Sequence, residues 1–226
     1  MALTLIACSD KPSPETGDGE NTEAQIAGET TETQTEEVTV PSALSKKITL
    51  DDVMNAPVLS EEDLFAGSGA LYECTTDETV FALPETYNGE KITTIHSYMF
   101  ANKSPVVGIR LPDSIQLTGD LTFALNDNLQ VVYCGSGLRI IEDGAFLNCK
   151  NLHTVILCDG IERIEEMAFS GDTSLKSIEI PSSVIEIDSS AFFNTSDDFT
   201  IIGTPGSYAE QFAMDNGIPF QASTQG

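Results

Sequence analysis

The chain has 226 residues and a formal net charge of −26, a length that allows one medium-sized domain with additional segments. Residues 66–226 alone hold 22 acidic and 7 basic side chains, so the acidity is not confined to a tail. This balance argues against nucleic-acid binding, which needs Lys and Arg to neutralise phosphates, and against electrostatic docking on anionic lipid. It indicates a solubilising surface, since no D-x-D-x-D-G calcium loop accompanies it.

Residues 1–8 end in Leu5-Ile6-Ala7-Cys8, which resembles the lipobox at which bacterial lipoprotein precursors are cleaved. A small residue before the cysteine suits the signal peptidase. The resemblance implies that Cys8 is the lipidation site and that the protein is extracytoplasmic, held at the cell surface by a lipid anchor. Because the apolar run is short and has no basic segment before it, an incidental apolar patch is the alternative.

Residues 9–47 form an acidic spacer rich in Thr and Glu. The stretch 9–45 contains nine acidic residues, one Lys and no aromatic residue. Such a composition cannot bury enough apolar surface to offset the entropy of ordering, so we expect disorder. A tethered domain would use this spacer to clear the envelope, although a plain tail would have the same composition.

Residues 48–91 are predicted to cap the first coil of the domain that follows. Ser60 and Asp63, ahead of Leu64 and Phe65, resemble a capping box and predict a short helix. Residues 71–74 and 80–83 have the composition of strands, and residues 86–89 that of a turn.

Residues 92–203 are organised around a phenylalanine that returns every 23 residues, at Phe100, Phe123, Phe146, Phe169 and Phe192. The positions nine and eleven after each Phe are apolar in nearly every interval, as in Ile109 and Leu111. A fixed period of this size is typical of a leucine-rich-repeat solenoid. We therefore predict an α/β-type repeat of about five coils. Each coil would add one strand to a parallel sheet and return through a short helical or irregular turn.

The segment from Ile141 to Leu157, IEDGAFLNCKNLHTVIL, resembles the BspA-like leucine-rich repeat of bacterial surface proteins, and so does the segment from Ile164 to Val184. The resemblance covers about residues 70–220. It implies a curved solenoid, surface display and binding of host or neighbouring proteins, and it implies no active site. Thr118 and Thr122 depart from the pattern, which predicts a less regular second coil.

Residues 204–226 are predicted to form a helical cap. Ser207 and Glu210 have capping-box spacing and open a helix that reaches about Asn216, and Gly217 supplies its left-handed stop. Tyr208 and Phe212 lie four residues apart, so we expect them to share the helix face that covers Phe192.

The sequence offers little catalytic chemistry. Cys74, Cys134, Cys149 and Cys158 contain no C-x-x-C pair and are interpreted as structural and unbridged. His96 and His153 fall in different coils and different columns, so no nucleophile–base pair is evident. We expect no enzyme activity, metal or cofactor.

The outer side of the predicted sheet is more informative. If positions nine and eleven point inward, positions eight and ten must point outward, because strand side chains alternate. Exposed apolar patches often mark binding sites and Tyr is enriched at hot spots, although β-branched residues also simply favour strands. The candidate binding residues on this open face are Arg110, Val131, Tyr133, Thr154, Ile156 and Glu179.

These features favour a monomeric, non-enzymatic surface protein whose solenoid binds another protein. A carbohydrate-binding module is an alternative, but it would be expected to display several aromatic residues, and the open face offers mainly Tyr133. A structural spacer or envelope assembly component is the other alternative, and it would lack a discrete patch.

Overall fold

A computed structural model describes residues 47–102 and 106–224. Residues 1–46, which include Cys8 and most of the predicted spacer, lie outside the described residues. The elements in chain order are α1 (Leu50–Met54), a 3-10 turn (Glu61–Asp63), β1 (Leu64–Gly67), β2 (Ala70–Cys74), β3 (Val80–Ala82), β4 (Thr86–Tyr87), β5 (Glu90–Lys91), β6 (Thr94–Ile95), β7 (Gly108–Arg110), β8 (Leu117–Thr118), β9 (Val131–Tyr133), β10 (Ile140–Ile141), β11 (Thr154–Ile156), β12 (Arg163–Ile164), β13 (Ser177–Ile180), β14 (Glu186–Ile187), β15 (Thr200–Gly203), α2 (Tyr208–Asp215) and β16 (Phe220–Ala222).

The repeat strands form one parallel sheet of seven strands in the order β16-β15-β13-β11-β9-β7-β3. The positions nine and eleven after each Phe are buried, as predicted: Ile109, Val132 and Ile178 are 0–1% exposed. The sheet has more coils than the five that the phenylalanines mark. Both β3 and β16 lie outside the 23-residue pattern, yet each pairs in parallel with the end of the stack.

The return segments of the coils up to that of Phe169 contain two-residue strands, β6, β8, β10, β12 and β14, where short helical or irregular turns were expected. From β8 onward they begin 17 residues after the Phe, and they stack in parallel, as Ile140 does on Arg163 and Arg163 on Glu186. Turns follow them, and the phenylalanines are hydrogen-bonded across the coils. The backbone N–H of Phe146 donates to the carbonyl of Ala168 at 2.8 Å, and that of Phe169 donates to Ala191 at the same distance.

The five phenylalanines form a continuous stack through the interior. Successive rings from Phe100 to Phe192 have centroids 5.1–5.3 Å apart and planes within 10° of parallel. Single coils could not bury these rings, so the stack ties each coil to its neighbours. The prediction of a less regular second coil is confirmed in the return strands, because β8, which contains Thr118, pairs with β6 but belongs to a different sheet from β10. The Phe stack continues through this coil, and Thr122 is fully buried with its hydroxyl donating to the carbonyl of Gly119.

The helix predicted after Ser60 is wrong. Only a single 3-10 turn forms, and Leu64–Gly67 is a strand paired with β2. The Ser60 hydroxyl donates to the Asp63 carboxylate and does not cap the backbone. Leu64 is buried while Phe65 is 60% exposed, the two-residue alternation of a strand with one face in the core.

The true helix of this region is α1, which the sequence reading missed. It starts with a complete capping box, in which the Thr49 side chain accepts from the Asp52 N–H and the Asp52 carboxylate accepts from the Thr49 N–H. This reciprocal pair satisfies donors that a helix start leaves unpaired. The helix is therefore locally encoded even though it has only five residues.

The C-terminal helix forms as predicted, with the Ser207 side chain accepting from the Glu210 N–H. Phe212 packs on Phe192 with centroids 6.1 Å apart. The expected role of Tyr208 is wrong, because its side chain is 42% exposed while Ala209 and Ala213 are buried. The residues facing the core are thus Ala209, Phe212 and Ala213. The chain then turns at Gly217, whose φ is +67°, and adds β16 to the sheet.

Candidate binding face

The outer side of the seven-stranded sheet, called here the strand face, brings most of the predicted site residues into one row. Pairing between coils places Arg110 beside Tyr133, Tyr133 beside Ile156, and Ile156 beside Glu179. The row continues from Glu179 to Ile202. The repeat phase therefore predicted the neighbours correctly, although it could not show what covers them.

Half of the strand face is covered by the chain itself. The segment carrying α1 packs across β3, β7 and β9, where a second small core of Ile48, Val53, Val107 and Val131 forms. Val131 is 0% exposed, so its predicted exposure on an open face is wrong. The physical reason is that Val53, on α1, supplies the apolar partner that an outward strand position otherwise lacks. We call β3, β7 and β9 the covered half, and β11, β13 and β15 the uncovered half.

Gly108 permits the close approach of α1. A Cβ atom at this position would lie 2.6 Å from Ile48 Cδ1 and 2.7 Å from Val53 Cγ2. The backbone N–H of Ile48 also donates to the Gln130 side chain at 3.0 Å. Two sequence signals could have revealed the arrangement: a glycine in a column that elsewhere holds larger side chains, and the capping box at Thr49.

Tyr133 lies on β9, the covered strand next to the uncovered half, and Arg110 lies beside it on β7. Tyr133 is partly buried against the small core, and a hydrogen bond with Cys158, followed by burial, raises the pKa of its phenol to about 12. The phenol therefore remains neutral at physiological pH. Arg110 is also half-buried and, with Met54, Val58 and Tyr133, lines a pocket of about 250 Å³ at the end of α1.

The uncovered half contains the remaining candidates, Thr154, Ile156 and Glu179. Glu179 is exposed, and Ile156 and Ile202 on either side of it are half-buried. A pocket of about 560 Å³ lies at the carboxyl ends of these strands, and Leu50 of α1 forms part of its wall. The other lining residues include Ile156, Asp159, Glu179, Pro181, Thr204 and Ser223. The uncovered half therefore presents Ile156 and Ile202 next to the Glu179 carboxylate and several hydroxyl side chains.

The cysteines are packed as structural residues. Cys134, Cys149 and Cys158 carry free thiols, and the first two are 0% exposed. Burial raises the pKa of the Cys134 and Cys149 thiols well above the usual value, and the Cys149 Sγ–H donates to the carbonyl of Phe123. Protonated, inaccessible thiols are poor nucleophiles.

The two histidines pack as ordinary side chains in the described part of the chain. Burial, followed by the charge of Lys47, lowers the pKa of His153, while the ring of His96 packs on Tyr72 with centroids 5.5 Å apart. Within residues 47–102 and 106–224, no three His, Cys, Asp or Glu side chains converge as a metal site would require. In the same residues no helix has the length and apolar content needed to cross a membrane.

Comparison with known proteins agrees with this architecture. A family model described as the BspA type leucine-rich repeat region matches residues 66–198 in six copies. Among solved structures, the chain is similar to a leucine-rich repeat protein of T. pallidum, with 22% identity and a TM-score of 0.56 over 70% of this chain and 71% of that one.

The pneumococcal vaccine antigen PcpA is also similar, with 16% identity and a TM-score of 0.51 over 72% of this chain and 48% of that one. At these identities the likeness establishes the fold alone. A search of curated proteins finds no match.

Proposed function

Since the chain belongs to the BspA-type leucine-rich repeat family, we propose that it is a non-catalytic, surface-displayed protein that binds another protein on the uncovered half of its strand face. Repeat solenoids of this kind typically serve as scaffolds that present an extended binding surface. The function must therefore be argued from the surface and not from the fold.

The observation that carries the proposal is the row of Ile156, Glu179 and Ile202 on adjacent strands. These side chains point away from the Phe stack, so the core does not need them. Their neighbours in the covered half pack against the α1 segment, whereas Glu179 is exposed and the two isoleucines are only half-buried, with Leu50 of α1 in the wall of the pocket beside them. Two half-buried apolar groups beside a concave pocket suit the apolar part of an interface, and the Glu179 carboxylate between them would need a polar or positively charged group on the partner.

The experiment is differential capture. The full chain, carrying a photoreactive crosslinker, is presented to the surface proteins of candidate host or neighbouring cells, and captured proteins are identified by mass spectrometry. Ile156→Ser combined with Ile202→Ser should weaken binding of the genuine partner about 30-fold, the effect of losing roughly 2 kcal/mol at a hot spot. Ile185→Ser is the matched control, because Ile185 is 66% exposed and lies outside the strand face.

Equal capture by wild type and the double variant would contradict the proposal and favour a spacer or assembly role. Loss of capture in Ile185→Ser as well would indicate non-specific adhesion.

Surface anchoring through Cys8 is the second part of the proposal, supported by the Leu5-Ile6-Ala7-Cys8 lipobox. Expressed in a bacterium behind a complete signal peptide, wild type should incorporate a fatty-acid analogue and Cys8→Ala should not. Equal incorporation by both would refute the anchor while leaving the binding face untouched.

A further inference from the structure

A second concave site lies at the opposite edge of the sheet, where the chain enters β9, β11 and β13. This edge pocket has a volume of about 710 Å³ and is lined by Lys47, Asn128, Gln130, Asn151, His153, Thr154, Thr173, Ser174 and Lys176. The volume falls within the range of about 300–1,000 Å³ that is usual for small-ligand sites. It shares only one predicted site residue, Thr154, with the strand face, so the inference below does not depend on the proposed function.

The charge of the edge pocket is opposite to that of the molecule. The whole chain carries 36 acidic and only 10 basic residues, yet two lysines line this pocket, and among the described residues no Asp or Glu does. His153 adds no charge at neutral pH, because burial lowers its pKa. The positive character therefore comes from Lys47 and Lys176.

The rest of the lining consists of amides and hydroxyls. Asn128, Asn151 and Ser174 occupy the same position in three successive coils, five residues after the Phe, so they form a polar ladder along the pocket. Thr154 is held by a contact of 2.9 Å between its hydroxyl and His153 Nδ1. No aliphatic side chain and no Phe, Tyr or Trp is present among the described lining residues, which disfavours hydrophobic ligands and neutral sugars that stack on large rings.

We propose that the edge pocket binds a carboxylated sugar. The two lysines would hold the carboxylate through charge-assisted hydrogen bonds, which are roughly twice as strong as neutral ones. The Asn and Ser ladder and Thr154 would pair with the sugar hydroxyls. Lys176 lies 2.8 Å from Asp198 Oδ2, but both side chains are more than 60% exposed. Such an exposed pair is worth little, so a ligand carboxylate can replace Asp198 as the partner.

An acidic peptide would share the carboxylate, and the experiment separates the two. Digalacturonate, neutral digalactose and triglutamate are titrated into the isotopically labelled full chain, followed by amide chemical shifts. Digalacturonate should shift the amides of Asn128, Asn151, Thr154 and Ser174, and bind at least about tenfold more tightly than digalactose, since only the former offers charge-assisted bonds. Triglutamate binding as tightly as digalacturonate would overturn the sugar assignment.

Matched lysine variants test whether the pocket itself is responsible. Lys176→Met should weaken digalacturonate binding about fivefold or more, the scale of a lost charge-assisted hydrogen bond. Lys150→Met should not, because Lys150 is similarly exposed and is paired with Asp127 at 3.7 Å but does not line the pocket. Equal weakening in both variants would mean non-specific charge attraction, and unshifted pocket amides would mean that no site exists; either result overturns the proposal.

Discussion

The two halves of the strand face are built from the same repeat, yet they differ in what covers them. In the covered half the column eight residues after each Phe holds Gly108 and Val131, both buried beneath the α1 segment. In the uncovered half the same column holds Thr154, Ser177 and Thr200. The residues of this column change from Gly and Val to Ser and Thr between β9 and β11, where the cover by the α1 segment stops. A repeat therefore fixes the direction in which a side chain points, while segments outside the repeat decide whether that side chain meets water.

The largest expected loss of stability comes from a substitution that affects both halves. The Phe stack runs beneath the whole sheet, so Phe146→Ala should lower the free energy of unfolding by about 3–5 kcal/mol, the usual result of truncating a buried aromatic. Chemical denaturation measures it. Phe193→Ala is the control, because Phe193 is 55% exposed although it adjoins the stack. A loss below about 1 kcal/mol in Phe146→Ala would mean that the stack does not hold the coils together.

A substitution that undocks α1 from the covered half should cause an intermediate loss of stability. Val53 is 0% exposed, and Val53→Asp should undock α1 at a cost of about 1.5–3 kcal/mol, the value of burying a side chain of this size. Hydrogen exchange should then accelerate in residues 130–133 and remain unchanged in β13 and β15. Met54→Asp, at a position 40% exposed on the same helix, should leave exchange as in wild type. Acceleration throughout the sheet would contradict independent halves.

A stabilising change is expected beneath the uncovered half. The position three residues after each repeat Phe carries a side-chain donor in two coils. There the Asn126 amide donates to the carbonyl of Phe100 and the Cys149 thiol donates to that of Phe123. Asp172 occupies the same position in the following coil and is fully buried. One of its carboxylate oxygens accepts from the Cys149 N–H at 2.8 Å, and the other has no partner. Asp172→Asn supplies an N–H donor at every pH without the cost of protonating a carboxylate, and it should stabilise the protein by about 1–2 kcal/mol at pH 7.

The pH dependence gives that prediction a second readout. Burial raises the pKa of Asp172 well above the ordinary value of 3.8, so the folded state keeps a proton that the unfolded chain has lost. Wild-type stability should therefore fall as pH rises from the unfolded pKa through the folded one, and Asp172→Asn should lack this component. Asp127→Asn, at an exposed position, should change stability by less than about 0.5 kcal/mol. Equal stabilisation by both variants would contradict the explanation that the buried carboxyl of Asp172 destabilises the protein.

The smallest effect on stability is expected in the uncovered half. Ile156→Ser with Ile202→Ser should cost less than about 1 kcal/mol, because substitutions outside the core are usually mild. A thermal unfolding scan checks this. A larger loss would show that these isoleucines serve packing and not binding.

The sequence predicted the parts of the fold that follow from periodicity. The spacing of Phe100 to Phe192 gave the solenoid, and strand alternation gave the row from Arg110 to Glu179. It could not show the burial of Val131, because that depends on a contact with Val53, almost eighty residues earlier in the chain. The same limit applies to β16, which has no repeat signature, and to the edge pocket, because Lys47 and Lys176 line one cavity only after folding.

Thiol accessibility tests the central claim of a half-covered strand face most directly. In a Cys158→Ser background, Val131→Cys and Ile202→Cys are labelled with a small maleimide under native conditions. Ile202→Cys, at a half-buried position, should react within about tenfold of the rate of an unstructured peptide, and Val131→Cys should react at least about 100-fold more slowly than Ile202→Cys, corresponding to an opening free energy near 2.7 kcal/mol. Adding Val53→Asp should restore the reactivity of Val131→Cys. Equal rates at both positions in the parent would contradict the account.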